Sequence, residues 1–276
     1  MKRARARKSR RAERGGTLRF VIIVAILAWA FRSFVFAPFS IPSGSMLPTL
    51  YIGDYIAVAK WPFGFSRHSF PFGLPPFDGR ILSHLPERGD VVVFVPPGER
   101  EDYIKRVIGL PGDTVEIREG TVILNGKAVR LEEKRPLAIP ISANSACRTV
   151  PGAVPVIRGQ GDLRACVYTS YRETLPNGAS YRVIDQVNNV IADQMPPVTV
   201  PAGKLFLMGD NRDDSLDSRF SVAEGGIGMV PVENLVGRAS MIFWSTDGSS
   251  SYFKPWTWFS ALRGNRVGDS LSAESK

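Results

Sequence analysis

An apolar segment directly behind a strongly basic start constrains this chain more than any other feature. The stretch TLRFVIIVAILAWAFRSFVFA follows the basic run MKRARARKSRRAERGG, and its uninterrupted apolar core from Phe20 to Phe31 is short for a membrane span of roughly 20 residues. Apolar residues resume after Arg32, and an arginine near a helix end can reach the lipid headgroups. We therefore predict an uncleaved transmembrane anchor over residues 17–36 behind a basic cytoplasmic head, residues 1–16.

Two other interpretations compete with this anchor. A cleaved secretory signal peptide would explain the basic start, the short apolar core and the small residues Ala28 and Ala30 around Trp29. A buried helix of a soluble protein would leave the flanking charge unexplained. With a retained anchor, the positive-inside rule keeps the head in the cytoplasm and exports everything after Phe36. The net charge of +9 is then a topological signal, and we expect no nucleic-acid partner.

The exported part is predicted to be mainly β, because β-branched runs alternate with turn signals and almost nothing has helical period. GDVVVFV, VTVPAGKLFLMGDN and LVGRASMIFWS are typical of strands. TVEIREGTVILNGKAVRL contains three short strands separated by Glu119-Gly120 and Asn125-Gly126, and the second pair is a strong hairpin signal. We expect a single transmembrane helix followed by an antiparallel β-sheet core.

Composition suggests how this part is divided. Between Glu132 and Val198 the sequence is irregular and rich in Pro, Gly, Ser and Asn. We predict a β core formed by residues 37–115 and 200–262, an inserted loop-rich β subdomain at 116–199, and a polar tail at 263–276. No phosphate-cradling glycine loop or internal repeat occurs, so nucleotide binding has no support and we expect no cofactor.

The two cysteines, Cys147 and Cys166, both lie in the predicted insertion. In an oxidising compartment a pair at this separation could close a loop and stabilise it by about 3 kcal/mol. Two buried free thiols are the other interpretation. Since His68 and His84 are the only histidines, we expect no metal site.

The segment from Trp61 to Phe77 is unusually aromatic and is interrupted by Pro and Gly. It is too broken for a helix. It is either a loop packed on the core or an aromatic surface at the membrane interface, where such rings are favoured.

A serine hydrolase built from this sequence has few general bases available. His68 and His84 have no acidic orienting residue nearby, so a Ser-His-Asp triad is poorly supported. A neutral lysine can activate a serine instead, provided that burial lowers its pKa from a reference near 10.4. In DYIKRVIGLPGD, strand alternation puts Lys105 on one face with Tyr103 and Val107, where apolar groups could enclose it. An exposed lysine on an edge strand is the alternative.

Four motifs carry a resemblance to a known family. FSIPSGSMLPTL, RGDVVVF, YIKRVIGLPGD and MGDNRDDSLDSR occur in this order behind the basic head and the anchor. In wording and order they resemble the bacterial type I signal peptidases, membrane-anchored Ser-Lys endopeptidases of the S26 family that act in protein export. The resemblance covers the anchor, about residues 36–113 and residues 201–244, and it is weak over 132–198.

The resemblance implies chemical roles for two of the three serines in FAPFSIPSGSMLPTL. Ser45 matches the nucleophile and Lys105 its general base. Ser43 matches the residue whose hydroxyl forms the oxyanion hole together with the backbone N–H of Ser45. Spacing alone does not separate Ser43 from Ser45, and Ser40 is assigned no role.

The resemblance also implies supporting and binding residues. Ser215 matches a serine that hydrogen-bonds and orients the lysine, Asp217 and Arg219 match a supporting ion pair, and Gly209 and Asp210 open the turn that leads to them. Small, shallow apolar pockets are implied for a substrate cut after small-x-small (Ala-x-Ala) sequences. The residues matched to these pockets are Phe39, Ile41, Pro42, Leu50, Ile56, Val93, Tyr103 and Ile104.

The implied activity is removal of signal peptides from exported preproteins. The implied setting is the bacterial inner membrane, with a single-pass anchor, a cytoplasmic N-terminus, a periplasmic catalytic core and the lipid bilayer as a partner. Two features depart from the family: a second transmembrane helix, frequent in the family, is not found, and the cysteine spacing is not a fixed family feature. There are two alternatives: a dedicated processing peptidase of a secretion or conjugation system, and an inactive membrane-tethered scaffold. Nothing in the sequence indicates the oligomeric state.

Overall fold

The computed structural model describes residues 2–73, 76–153, 156–160, 164–188, 191–251 and 253–275. It begins with one long helix, α1 (Lys2–Phe34). The strands that follow, in chain order, are β1 (Phe36–Ser40), β2 (Asp54–Ala59), β3 (Phe65–Ser66), β4 (Arg80–Ile81), β5 (Val91–Phe94), β6 (Tyr103–Gly109), β7 (Thr114–Arg118), β8 (Thr121–Leu124), β9 (Lys127–Ala128), β10 (Arg130–Pro140), β11 (Val156–Arg158), β12 (Ala165–Thr174), β13 (Ala179–Ile184), β14 (Gln194–Thr199), β15 (Lys204–Met208), β16 (Val230–Pro231), β17 (Leu235–Ser245) and β18 (Glu274–Ser275). A short helix, α2 (Thr257–Ser260), lies between β17 and β18.

The apolar part of α1 is long enough to cross a membrane. Residues Gly16–Phe34 form a 19-residue stretch with a mean hydropathy of 1.8, and only 6% of this stretch is buried against the protein. At 1.5 Å per residue it spans about 28 Å, close to the thickness of a bilayer's hydrocarbon core. The helix ends two residues earlier than predicted, because Phe36 already pairs with Ala59 as the first residue of β1.

The largest sheet has seven strands in the order β1-β2-β17-β5-β6-β15-β16, and every pairing in it is antiparallel. It places β6 between β5 and β15, where both edges of the strand are paired. Lys105 is therefore not on an edge strand, and the alternative of an exposed edge lysine is wrong. The mainly β, antiparallel fold is confirmed.

A second sheet, in the order β14-β7-β8-β9, contains the predicted meander. Its two turns have positive φ at both central positions, 49° and 75° at Glu119-Gly120 and 53° and 75° at Asn125-Gly126. Such turns match the twist of the paired strands, which is why Asn-Gly predicts them well. The three short strands and both turns are confirmed.

The third sheet, β10-β12-β13-β18 with β11 against β12, is more regular than its composition indicates. β10 has 11 residues and contains Pro136 and Pro140, yet it pairs with β12 along its length around an irregularity between Glu132 and Arg135. Proline is tolerated on an edge strand because its missing N–H is not needed there, and β10 lies at the edge. The division into a core and an insertion stays a prediction.

The segment 263–276, predicted as a polar tail, packs back on the seven-stranded sheet. Arg266 forms an ion pair with the buried Asp54 at 2.6 Å, and Arg263 donates to the carbonyl of Ile52. Leu271 is buried in the apolar cluster around Ile56. A buried carboxylate requires a counterion, and this segment supplies the one for Asp54.

The aromatic segment lies partly against the end of α1. Phe63 is buried, and the rings of Phe65 and Phe70 each contact the ring of Phe34 at 5.4 Å between centroids. This supports packing for that part of the segment. Leu74, Pro75 and the side chain of Phe72 lie outside the described residues, and contact with lipid stays a prediction.

The structure contains a disulfide between Cys147 and Cys166. Cys166 is buried on β12 in a cluster with Leu47, Ile139 and Tyr168, and Cys147 packs against that cluster from the loop after β10. The bond therefore ties this loop to the sheet beside the turn that contains Ser45.

Candidate active site

Ser45 lies in the turn that connects β1 to β2. The base of this turn is closed by two backbone hydrogen bonds, Ile41 N–H to Asp54 and Gly53 N–H to Ile41. The residues that follow the serine, Met46 and Leu47, are buried and anchor the turn in two apolar clusters. Ser45 itself is 9% exposed, so its position is fixed while one side faces the cleft.

Lys105 reaches this serine from the middle of the sheet. Its Nζ lies 2.7 Å from Ser45 Oγ. Burial lowers the pKa of Lys105 to about 8, while the carboxylates of Asp217, Asp210 and Asp214 oppose that decrease. A lysine with this pKa is largely neutral under mildly alkaline conditions, so it can accept the proton of the serine.

Ser43 lies two residues before the serine and its hydroxyl is 3.5 Å from Ser45 Oγ. Its side chain is exposed on the cleft side of the turn. A hydroxyl in this place can donate to an oxyanion that forms on a carbonyl attacked by Ser45.

Ser215 does not make the hydrogen bond that was predicted for it. Its Oγ is buried and, among the described residues, it has no hydrogen-bond partner. Lys105 donates to Ser45 instead, although Ser215 lines the same cleft as both residues. A role in orienting the lysine stays a prediction.

Asp217 and Arg219 form a fully buried bidentate ion pair, with Nε to Oδ1 at 2.9 Å and Nη2 to Oδ2 at 3.0 Å. Burial alone would raise the pKa of Asp217, but the Arg219 guanidinium and the backbone N–H of Gly209 more than offset it, and the pKa is lowered. Arg219 also donates to the carbonyls of Arg212 and Ser215. The pair therefore fixes the main chain on both sides of Ser215.

Gly209 is the point where two segments come closest. A Cβ at this position would lie 2.3 Å from Ser215 Oγ and 2.6 Å from the carbonyl oxygen of Ser45. Real Cβ atoms do not approach other atoms so closely, so only glycine lets the Ser215 segment lie against the nucleophile turn.

Asp210 turns away from the cleft. It accepts two hydrogen bonds from Arg106, at 2.8 and 2.6 Å, and the Arg106 guanidinium stacks on the Tyr181 ring at 4.0 Å. Both charged groups are almost fully buried. This pair connects β6 to the turn after β15 and serves the structure of the site.

The serine and the lysine open into a cleft of about 690 Å³. Seven of the eight residues predicted to bind substrate line it: Phe39, Ile41, Pro42, Ile56, Val93, Tyr103 and Ile104. Leu50 is the exception and its assignment is corrected. It is fully buried beneath the cleft among Ile41, Met46 and Ile56, because the turn after Ser45 directs it into the core.

Several cleft residues have no clear signal in the sequence. Ile191, Leu216 and Phe220 add apolar surface to the lining of the cleft. Leu216 and Phe220 lie within or next to the motif MGDNRDDSLDSR, which could have suggested them, whereas Ile191 lies in the irregular stretch between Glu132 and Val198.

Lys60 is a second buried lysine that the sequence analysis missed. Burial lowers its pKa to about 8, as it does for Lys105, and Asp102 opposes the decrease. Its Nζ lies over the ring of Phe39, 5.7 Å from the centroid, and Lys60 does not line the cleft. Depressed pKa values alone therefore do not identify the base; the contact with Ser45 does.

Neither histidine lines the cleft. The imidazole of His68 contacts Arg67, and that of His84 contacts the carbonyl of Leu82.

Three carboxylates, Asp185, Asp193 and Asp213, lie within 4.8 Å of one another. Burial and these two neighbours raise the pKa of Asp185 to about 7, which is typical of carboxylates that share a proton.

Comparisons with known proteins show which family this chain resembles in sequence. The family model described as signal peptidase, peptidase S26, matches residues 14–244. A signal peptidase I of Rickettsia canadensis is 36% identical over 236 residues, which cover 82% of this chain and 77% of that protein. A signal peptidase I of Rickettsia felis is 35% identical over 240 residues, which cover 84% and 79%. A crystal structure of a signal peptidase I from Enterococcus faecalis aligns with 25% identity and a TM-score of 0.29 over 57% of this chain and 98% of that chain.

Proposed function

This chain belongs to the S26 family of signal peptidases, serine endopeptidases that remove signal peptides from preproteins, and on that premise we propose that Ser45 and Lys105 carry out the cleavage. The observation that carries the proposal is the 2.7 Å contact between Lys105 Nζ and Ser45 Oγ, made by a buried lysine whose pKa is lowered to about 8.

In the first half of the reaction Ser45 Oγ attacks the carbonyl carbon of the scissile bond while Lys105 accepts the hydroxyl proton. The negative charge moves to the carbonyl oxygen, where the Ser43 hydroxyl and the Ser45 backbone N–H stabilise it. Collapse of this intermediate breaks the C–N bond. The departing amine takes the proton from Lys105, and the signal peptide stays attached to Ser45 as an ester.

In the second half a water molecule attacks the ester. Lys105, neutral again, accepts a proton from the water, and Ser45 leaves with that proton. One titrating group therefore serves both halves. Asp217 and Arg219 take no proton in this scheme; they hold the backbone beside the lysine.

The cleft also supports a preference for small side chains before the scissile bond. Its lining includes the apolar side chains of Ile41, Val93 and Ile104 together with Ser45 and Lys105. Forcing a large side chain against packed residues costs about 1–3 kcal/mol. We expect an Ala-x-Ala preprotein to be cut after the second alanine, and a version with Phe in place of that alanine to lose about 5- to 150-fold in kcat/KM.

The test is cleavage by the full chain in detergent, with the new N-terminus identified by mass spectrometry. The matched control substrate carries Phe at the middle position of the Ala-x-Ala site. Equal cleavage of the unsubstituted site and of the site with Phe in place of the second alanine would contradict the predicted preference for small side chains. Cleavage of one preprotein among many with suitable sites would favour a dedicated processing peptidase, and failure to cleave any of them would favour the scaffold.

The rate should follow the ionisation of Lys105. Because only the neutral amine can accept the serine proton, we expect kcat/KM to rise about tenfold per pH unit below pH 8 and to level off above it. Measurement of kcat/KM from pH 5 to pH 10 with the same peptide tests this. A rising limb centred at about pH 6.5 or below would indicate an imidazole or a carboxylate as the base and would contradict the assignment.

The location follows from the anchor. The family match and the apolar helix make this a membrane-anchored protein. We propose that α1 crosses the bacterial inner membrane once, with its basic start in the cytoplasm and the cleft on the outer side. The uneven distribution of Lys and Arg around the helix supports this orientation.

A further inference from the structure

Arg148 lies beside the nucleophile turn although no sequence motif contains it. Its guanidinium forms a bidentate ion pair with Asp214, with Nε to Oδ2 at 2.6 Å and Nη2 to Oδ1 at 2.9 Å. A Cβ built on Gly44 would lie 3.2 Å from Arg148 Nε, so the arginine covers the glycine between Ser43 and Ser45. Two elements distant in sequence therefore meet at the turn that holds the nucleophile.

The loop that carries Arg148 is held from several sides. Its neighbour Cys147 is bonded to Cys166 on β12, and the Arg148 backbone N–H donates to the Tyr168 hydroxyl at 2.8 Å. On the far side of the loop, Asn144 donates to the carbonyl of Thr246. An arginine on a loop fixed in this way can impose its position on its partner.

Its partner, Asp214, is connected to the nucleophile through Asn211. The Asn211 side-chain amide donates to the carbonyl of Gly44 at 3.1 Å and lies 3.5 Å from Asp214 Oδ2. The Asn211 backbone N–H donates to the carbonyl of Ser45 at 3.0 Å. Asn211 is fully buried and so holds the carbonyls on both sides of the nucleophile.

This arrangement determines where the Ser45 N–H points. In a trans peptide the C=O and the N–H point in opposite directions, and the Gly44–Ser45 bond is trans. With the Gly44 carbonyl held by Asn211, the N–H of Ser45 must point the other way. That N–H is the backbone donor of the oxyanion hole in the proposed function.

We propose that Arg148 is a positioning residue of the peptidase, which acts with Asp214 through Asn211 to orient the oxyanion-hole peptide and to balance the charge beside Lys105. The inference rests on the proposed function of Ser45 and Lys105. The disulfide holds the arginine in place, and no step of the reaction passes through these residues.

The charge balance gives the arrangement a measurable signature. The charged groups that act on Lys105 are Asp217, Asp210 and Asp214, which raise its pKa, and Arg219, which lowers it. Each of these three aspartates is paired with an arginine: Asp217 with Arg219, Asp210 with Arg106, and Asp214 with Arg148. Removing Arg148 therefore leaves the Asp214 carboxylate unbalanced, and the pKa of Lys105 rises.

The experiment compares Arg148→Ala, Arg148→Lys and Asp214→Asn in the full chain, by kcat, KM and the pH dependence of kcat/KM. For Arg148→Ala we expect kcat to fall about tenfold or more with KM within about threefold, and the rising limb to move to higher pH. For Asp214→Asn the limb should move to lower pH. Arg148→Lys keeps the charge but not the bidentate contact, so the limb should stay in place while kcat falls by a smaller factor.

The matched control is Arg88→Ala. Arg88 also makes a bidentate pair with an aspartate, Asp113, but this pair lies outside the cleft. Its loss should leave kcat and the pH limb unchanged. Unchanged kcat and pH limbs in both Arg148→Ala and Asp214→Asn would overturn the proposal, as would the same pH shift in Arg88→Ala.

A second measurement separates this proposal from the proposed function. Amide hydrogen exchange in the peptides that cover residues 41–50 and 205–216 should accelerate in Arg148→Ala and not in Arg88→Ala. An unmodified chain that cleaves nothing would refute the proposed function, whereas exchange unaltered by Arg148→Ala would refute the positioning role whatever the activity.

Discussion

Replacing Ser45 with Ala, or Lys105 with Met, is expected to lower kcat/KM by about 10⁴-fold or more on an Ala-x-Ala peptide. Ser45→Ala removes the atom that forms the ester. Lys105→Met keeps most of the buried volume but removes the amine 2.7 Å from Ser45 Oγ, so no basic group of the described residues stays in contact with the serine hydroxyl. Because the two residues act as a unit, the double variant should lose little more than either single variant.

Lys60→Met is the matched control for the lysine. Lys60 is as buried as Lys105 and its pKa is lowered to about 8 as well, but it does not line the cleft. We expect this variant to keep activity within about tenfold of the unmodified chain. A Lys105→Met variant that still cleaved at a near-normal rate would require a base other than Lys105. A loss of kcat/KM in Lys60→Met as large as that in Lys105→Met would mean that activity depends on a buried lysine as such, and not on its contact with Ser45.

The second large effect concerns stability. Replacing Asp210 with Ala is expected to lower the free energy of unfolding by about 3–5 kcal/mol, because it leaves the Arg106 guanidinium buried without its counterion. The remaining contacts of Arg106, with the carbonyl of Gly89, the hydroxyl of Thr49 and the ring of Tyr181, do not neutralise its charge. The midpoint of urea unfolding at constant detergent concentration measures the change.

Two further variants make this prediction specific. The double variant Arg106→Met with Asp210→Leu removes both charges and should be more stable than Asp210→Ala alone, since no unpaired charge stays buried. Glu116→Ala removes one partner of an ion pair whose arginine, Arg118, is 64% exposed, and it should cost less than about 1 kcal/mol. Equal losses from Asp210→Ala and Glu116→Ala would contradict the assignment of a dominant desolvation cost.

Local sequence patterns predicted much of the secondary structure. The period-2 runs and the Glu119-Gly120 and Asn125-Gly126 turns depend on residues close in sequence, and the structure contains the strands and turns they predict. The irregular composition between Glu132 and Val198 does not indicate the length of β10, because long-range pairing with β12 keeps this proline-containing strand extended. The contact between Arg266 and Asp54 has no local signal either, because the two residues lie more than 200 positions apart in the sequence.

The sequence by itself determined the apolar helix with its basic start, the β character and, through four ordered motifs, the family with its serine and lysine. Only the tertiary structure decided that Lys105 Nζ lies within hydrogen-bond distance of Ser45 Oγ, that Leu50 lies beneath the cleft and not in its wall, that Ser215 makes no hydrogen bond to Lys105, and that Arg148 covers Gly44. The physical reason is the same in each case. Burial, charge pairing and hydrogen-bond geometry at this site come from segments 60 to 170 residues apart, and no local pattern encodes how such segments meet.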